Sequence, residues 1–411
     1  MATLSILSQP PQELTPAYRP IIYTFLVVGA VTDYPAALSV QPYVDGVAFG
    51  NPIRLEPYLM EDSGGNTLHY FRLNLSERVQ RFFSNDNFFP ALGSGGAIGS
   101  DNFQAPLQVV ASFYYPNANG ILTLQVNEQQ STEFPVLNAY RRGEETDSLE
   151  LYDLGATTVT PSSVLWLTRK PVNSILCIDD NELLGIFTKG LTAYRIRAFD
   201  DSGALQSEGV AFLDISTFGA DEVNIIPVGP VNINAISTWY SGSVTIDSDT
   251  RYYLIQGGWI FGSSFLSLTP LRRYYIVPSD CRRHRIHFLN SFGIPDSFTI
   301  WNNRIREYEV QNQIYQRPIL GTGALTDGGT RDVQKKGRIS ISSPVGNLTN
   351  EEQGWLGREF ALSAAIMVEE DGAYVPYILQ PGTFGVDNDN DANPTLNFTL
   401  LQSRGEDSQR N

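Results

Sequence analysis

The chain has 411 residues and a formal net charge of −16, with 44 acidic against 28 basic side chains. Its length exceeds one ordinary core and predicts two to three domains, while the acidic surplus excludes nucleic acid as the main partner, because phosphate binding needs an excess of Lys and Arg. No apolar run reaches the roughly 18 residues of a membrane helix; the longest, Ile21 to Val31, is broken by Tyr23, Thr24 and Gly29.

Glycine and proline punctuate the chain at short intervals and favour short strands. The expected fold class is all-β, with two β-sandwich-like domains plus a small C-terminal α+β portion. Residues 1–17 are polar and Pro-rich (Gln9-Pro10-Pro11-Gln12) and read as an N-terminal arm able to cross to a neighbouring subunit. The opening Met1-Ala2-Thr3-Leu4 lacks the basic region of a secretory signal, so synthesis in a cytoplasm without export is expected.

Residues 18–140 read as the first β-sandwich domain. Strands are expected over Ile21 to Val31, Leu38 to Val44 and Val47 to Leu55, with Asp45-Gly46 as a two-residue hairpin turn. Asn74 with Glu77 offers a capping pattern for a short helix carrying Val79, Phe82 and Phe83. Residues 91–100 form a glycine loop expected to be flexible, and a second hairpin pairs Leu107 to Tyr115 with Ile121 to Val126. Residues 141–171, opened by Arg141-Arg142-Gly143-Glu144-Glu145, read as a connector.

Residues 172–303 read as the second β-sandwich domain, ending in His287 to Trp301. There Gly293 permits a positive φ and Pro295 fixes its own, so two aromatic-lined strands flank a turn. Residues 304–402 read as a C-terminal β-rich portion with one helix. Its first strand, Arg304 to Tyr315, slips in alternation between Ile305 and Tyr308 and predicts a bulge. Thr349-Asn350-Glu351-Glu352 is a capping box leading to Trp355, Leu356 and Phe360. A hairpin turns over Glu370-Asp371-Gly372, and Leu396, Phe398 and Leu400 alternate in a last strand before a disordered tail, 403–411.

Groups able to do chemistry are few. Cys177 and Cys281 lack paired spacing and read as free and buried. Cys281, His284 and His287 sit three apart on a strand, which sends neighbours to opposite faces and disfavours a shared zinc. Asp387, Asp389 and Asp391 resemble the first half of a calcium loop, but Ala392 stands where the turn glycine belongs and Phe398 where the bidentate Glu belongs, leaving a solvated turn as the stronger reading. The glycine loop lacks phosphate-binding spacing, and a Gly-x-Ser-x-Gly elbow is absent. Asp179, Asp180 and Glu182 are candidate paired carboxylates for glycoside cleavage, although any acidic chain holds such clusters. No cofactor is expected. Arg272, Arg273, Arg282, Arg283 and Arg285 form a locally basic segment, read either as a solvated strand face or as a subunit interface meeting an acidic surface.

Three segments together resemble a known family. Tyr18-Arg19-Pro20-Ile21-Ile22-Tyr23, Tyr43-Val44-Asp45-Gly46 and Phe71-Arg72-Leu73-Asn74-Leu75-Ser76 look like the opening sandwich of virion structural proteins (tail, neck or baseplate) of tailed bacteriophages of the Bacteroidetes-phage type. Cys281 to Trp301 is similar to a central signature of that group, and Trp355 to Ser363 with Asp371-Gly372 and Tyr374-Val375-Pro376 resembles its C-terminal helix and hairpin. The resemblance implies a non-enzymatic virion subunit, made in the host cytoplasm and present as a symmetric multi-copy ring. Its implied partners are copies of itself and other tail or neck proteins, with no membrane and no specific nucleic acid. Contact with exiting DNA would be non-sticking, given the negative charge. The rival readings are a receptor- or carbohydrate-binding module at a tail tip, and a β-rich glycoside hydrolase.

Overall fold

In the computed structural model, which describes residues 3–10, 15–18, 20–28, 37–61, 67–83, 89, 91–97, 104–116, 119, 121–139, 166–187, 191–213, 223–279, 283–301, 305–317, 329–346, 348–382, 395–403 and 406–407, period-two patterning builds the first unit. Along Ile22–Val28, Tyr23, Phe25 and Val27 are buried while their neighbours are partly exposed, as in a strand with one face on a core. This strand lies in a four-stranded antiparallel sheet ordered Thr3–Ser8, Ile22–Val28, Thr67–Asn74, Tyr58–Glu61. A second sheet, centred on Ala37–Val44 and Gln104–Pro116, supplies Leu38, Val40, Leu107, Val109 and Phe113 to the same core. The Asp45-Gly46 turn has φ of 53° and 68°, as a type I′ hairpin requires.

Two expectations are corrected here. Thr3–Ser8, read as part of an arm, is an edge strand with Leu4 buried in the core; two apolar positions in a short segment suffice once a sheet edge offers hydrogen bonds. The glycine loop, described over 91–97, is pinned. Asn181 accepts from Gly93 N at 2.8 Å and Asn232 donates to the Ser94 carbonyl at 2.8 Å, while a Cβ on Gly95 would lie 2.5 Å from the Ala235 backbone.

The second unit has a seven-stranded sheet in which Asn173–Cys177, Arg272–Val277, Tyr252–Phe261, Ala193–Phe199, Leu205–Phe212 and Ser241–Ser243 follow in order, with Ser264–Ser267 paired to Tyr252–Phe261. Its inner face meets the antiparallel pair Leu183–Phe187 and Val223–Pro227. That pair is apolar on both sides: Leu184, Ile186 and Ile226 enter the second core, whereas Leu183, Val223 and Ile225 belong to the first. Two cores therefore share one two-stranded layer, which explains why apolar residues face both sides of each strand, with Asn224 the polar exception.

His284–Leu289 and Pro295–Ile300, expected to close the second sandwich, belong instead to the C-terminal eight-stranded sheet, pairing with each other and with Ile366–Glu370. Both strands are buried on both faces, so alternation gave no sign of which neighbour they take. The rest of this sheet comprises Ala373–Leu379, Leu396–Gln402, Gly329–Val345 and Ile305–Arg317, with Glu406–Asp407, in the expected tail, paired to Gly329–Val345. The bulge expected between Ile305 and Tyr308 is not there, where the register is regular; the pairing shifts instead between Gln313 and Ile314, with the extra residue, Val333, on the partner strand. The helix Asn350–Trp355 has both halves of its capping box and runs into one π-helical turn, Leu356–Phe360. Phe288, Phe298, Phe360 and Phe398 pack edge to face beneath it, with centroids 5.0–6.2 Å apart.

The turn between the two buried strands locks the three units together. Asn290 Oδ1 accepts from Phe292 N and Ile294 N at 2.9 and 3.1 Å, and its amide donates to the Leu167 carbonyl at 2.9 Å. Gly293 has φ of 73°, and a Cβ there would overlap the Asn138 carbonyl oxygen of the first sandwich. Gly293→Ala therefore combines left-handed strain with a backbone clash, and we expect a loss of about 3 kcal/mol or more in urea unfolding. Gly203→Ala, at an exposed turn of φ 80° with open space around it, should cost about 1 kcal/mol; equal costs would contradict the locking role.

Candidate functional site

The densest gathering of ionisable groups lies inside the molecule, where the second unit meets the buried strands. The chain turns from Asn173–Cys177 into Leu183–Phe187 through Asp179, Asp180, Asn181 and Glu182, and Asp180 and Glu182 are fully buried. Their partners come from His284–Leu289 and the residues flanking it. Arg285 pairs with Glu182 through Nη2 and lies 3.6 Å from Asp180, and also donates to the Asn181 carbonyl at 3.0 Å and to Thr299 Oγ1 at 2.7 Å. Arg283 pairs with Asp180 and, at 2.5 Å, with Asp179. Lys170 Nζ binds Glu182 Oε1 at 2.6 Å and the Ser297 carbonyl at 2.8 Å. Burial pushes both guanidinium pKa values down, but the surrounding carboxylates outweigh it and hold them above the ordinary arginine range. Lys170 goes the other way, burial prevailing over the pull of Glu182.

The basic segment read from sequence is therefore not one surface. Arg285 and Arg272 are buried, Arg272 donating to the carbonyls of Lys170 and Pro171 at 2.9 and 2.7 Å. Arg283 is bound to the acidic turn, and Arg273 lies on the outer side of the second sheet over Tyr252 and Tyr275. Arg282 and Cys281 fall outside the described residues, as do Asp387, Asp389 and Asp391. Three of the arginines turn inward because Asp180, Glu182 and open backbone carbonyls await them, an arrangement that clustering in sequence does not reveal.

Ser297, His287 and Glu369 stand in the order of a nucleophile–base–acid relay: Ser297 Oγ is 2.9 Å from His287 Nδ1, and His287 Nε2 is 3.4 Å from Glu369. Ser297 and His287 are fully buried, with the imidazole edge-on to Tyr374 at 5.0 Å, so no acyl group has room to meet the hydroxyl. Burial pushes the His287 pKa below its usual value. His284, three residues away, is partly exposed and shares no cluster with it. Cys177, Asp179 and Asp180 place one ligand atom each within 4.8 Å of one another, but Asp180 is already bonded to Arg283, the Cys177 amide (2.8 Å) and Thr299 (3.1 Å). A cation there would have to displace a guanidinium.

Sequence reading missed Lys170, Asp296, Glu359 and Glu369 as members of buried ionic or hydrogen-bonded groups; all but Asp296 stand beside another charged residue. Glu359, buried on the π-helical turn, accepts from Ser291 N at 2.6 Å, with Arg169 Nε 3.6 Å away. Asp296 accepts from Thr168 Oγ1 at 2.8 Å and Trp355 Nε1 at 3.2 Å. For Asp296 the available signal was a charged residue inside an otherwise buried strand, which demands a partner.

The strands define an all-β chain of sandwich type. No family model matches it, and no curated protein matches it. Among solved structures it is similar to the N-terminal eight immunoglobulin domains of Down syndrome cell adhesion molecule (DSCAM), isoform 1.30.30, with 10% identity and a TM-score of 0.15 over 83% of this chain. The chain spans 35% of that structure's length, and at such a score the likeness carries no argument about function.

Burial pushes the Asp296 carboxyl up to about 7, whereas an unfolded aspartate ionises near about 3.9. Folding therefore retains a proton between these values, so this stabilisation is complete below about pH 4 and is lost as pH rises through about 7. His287 acts oppositely, its contribution present above the ordinary histidine value and lost as pH falls through the depressed one. Comparing wild type with Asp296→Asn isolates the carboxyl: the difference in unfolding free energy should shift by up to the order of 4 kcal/mol in favour of the variant from pH 4 to pH 8. A difference independent of pH would refute the assignment.

Proposed function

We propose that this chain is a non-enzymatic structural subunit of a tailed-phage virion, in the tail, neck or baseplate, assembling as a symmetric multi-copy ring. The observation that carries assembly is a β-ribbon. Ile305–Arg317 and Gly329–Val345 pair in register, but Leu396–Gln402 and Glu406–Asp407 support only Gly337, Lys336 and Ser340–Val345. From the Asn312–Lys335 pair to the Arg317–Gly329 pair, the two strands pair solely with each other among the described residues, over roughly 20 Å. An isolated two-stranded ribbon is marginal in water, and at its base Ile305, Tyr308 and Val310 are each more than half exposed. Such an element fits a body that supports it from outside, and closed rings use heterologous contacts of this kind.

The inward commitment of the ionisable groups supports a building block, since Asp179, Asp180 and Glu182 are held by Arg283, Arg285 and Lys170 rather than facing a cleft. The virion location rests on the sequence resemblance. A tail-tip carbohydrate-binding module is favoured by one observation, Trp259 and Phe261, which are 45% and 71% exposed at the end of Tyr252–Phe261 and suit stacking on sugar rings.

Light scattering and sedimentation of the purified chain should find a discrete multi-copy species. Replacing residues 312–335 by Asn-Gly should yield monomers with unchanged thermal unfolding. A wild-type chain that stays monomeric at high concentration, or binds a glycan array without assembling, would favour the module instead. Labelling of intact particles should then place the chain in the tail, neck or baseplate.

A further inference from the structure

The outer face of the second sheet carries positive charge that the fold neutralises only in part. Along Ala193–Phe199, Tyr194, Ile196 and Ala198 enter the core, so Arg195 and Arg197 stand together on the opposite face, roughly 7 Å apart along the strand. Both guanidiniums converge on one neutral acceptor, Gln256 Oε1, at 3.1 and 3.4 Å, and Arg195 also reaches Ser267 Oγ at 3.1 Å. Among the described residues the one carboxylate within 4 Å of either is Glu208, 3.7 Å from Arg195 and 40% exposed. Arg273 adds a third cation, 5.2 Å over Tyr252, whose ring is stacked on Phe199 at 4.9 Å. Phe199 and Tyr252 are direct cross-strand partners, and such stacked rings turn edges rather than faces outward. Besides the Phe265 ring, which lies 4.8 Å from the Arg195 guanidinium, the face presents N–H and O–H donors.

The counterpart lies on the ribbon. At its base Ile305, Glu307 and Glu309 alternate onto one face, all exposed, and neither carboxylate takes part in an ion pair or hydrogen bond among the described residues. Arg338 is opposite Glu309 in register without forming an ion pair. Two carboxylates two residues apart on one strand match, in spacing, two guanidiniums two residues apart on another. Within one chain these residues form no ion pair with each other.

We infer that Arg195 and Arg197 of one copy receive Glu307 and Glu309 from the ribbon of a second copy. This rests on the multi-copy reading above and names the contact within it. The pairing is heterologous: each copy uses its ribbon toward one neighbour and its sheet face toward the other, which propagates around a ring.

Charge exchange tests the contact. Arg195→Glu/Arg197→Glu and Glu307→Arg/Glu309→Arg should each weaken association by at least about tenfold, because close interfacial charge pairs couple at that level or above. Both double variants should keep wild-type circular dichroism and melting. The variant carrying all four changes should recover association to within about threefold of wild type, and an equimolar mixture of the two double variants should associate better than either alone. If wild type assembles but the fourfold variant is no better than the double variants, or neither double variant weakens it, this contact is wrong while the multi-copy reading stands. Wild type that does not assemble overturns both. An Arg195→Glu/Arg197→Glu protein that assembles normally yet loses binding to heparin would assign the face to an acidic polymer and overturn the contact.

Discussion

Asp180 and Glu182 can be withdrawn from water only if cations come with them, and every other feature of the junction follows from that requirement. An unpaired buried carboxylate is costly enough to unfold a domain. The acidic turn after Asn173–Cys177 therefore cannot close until Lys170, Arg283 and Arg285 arrive. Those cations flank or lie within strands of the C-terminal sheet and the segment before the second sheet, so forming the ion pairs brings distant parts of the chain into one place. The hairpin turn at Asn290–Ile294 is then seated against Asn138 and Gly185, with Ile294 filling the space that a side chain at residue 185 would need. Ionic pairing chooses the register and apolar burial supplies the stability, since buried pairs by themselves contribute little net free energy.

This arrangement bears on function through what it consumes. Carboxylates, a lysine, a histidine and a serine, in other settings the parts of a hydrolase, are all engaged with one another behind packed aromatic rings. Chemistry on an outside molecule would need some of them free. What remains outward is different in kind: a ribbon longer than its sheet supports, exposed apolar residues at its base, and a sheet face with more guanidiniums than carboxylates on a strongly acidic chain. Under the proposed reading these features would hold other macromolecules, in a subunit that acts by position.

Local patterns carried much of this into the sequence. The hairpin at Asp45-Gly46, the capping box at Thr349–Glu352, the positive φ of Gly293 and the last strand through Leu396, Phe398 and Leu400 each depend on a few neighbouring residues, so they were legible. Long-range partnership was not. Arg272 and Arg285 look like surface charges until Asp180, Glu182 and the carbonyls of Lys170 and Pro171 are placed beside them, and nothing adjacent in sequence announces those partners. Thr3–Ser8 has too little pattern to declare itself a strand, and the alternation of His284–Ile300 does not choose between the neighbouring sheets because both of its faces are buried. The glycine loop looked mobile because its restraints, Asn181 and Asn232, lie about a hundred residues away or more.

The central claim is that the buried ion pairs and the turn at Asn290–Ile294 make the three units one cooperative body. Native-state hydrogen exchange across a denaturant series measures this directly. The account requires the amides of Ile22–Val28, Ala193–Phe199 and His284–Leu289 to converge on one opening free energy with one denaturant dependence. Three separate openings, with the second sheet exchanging while the strands on either side of the junction stay protected, would contradict it.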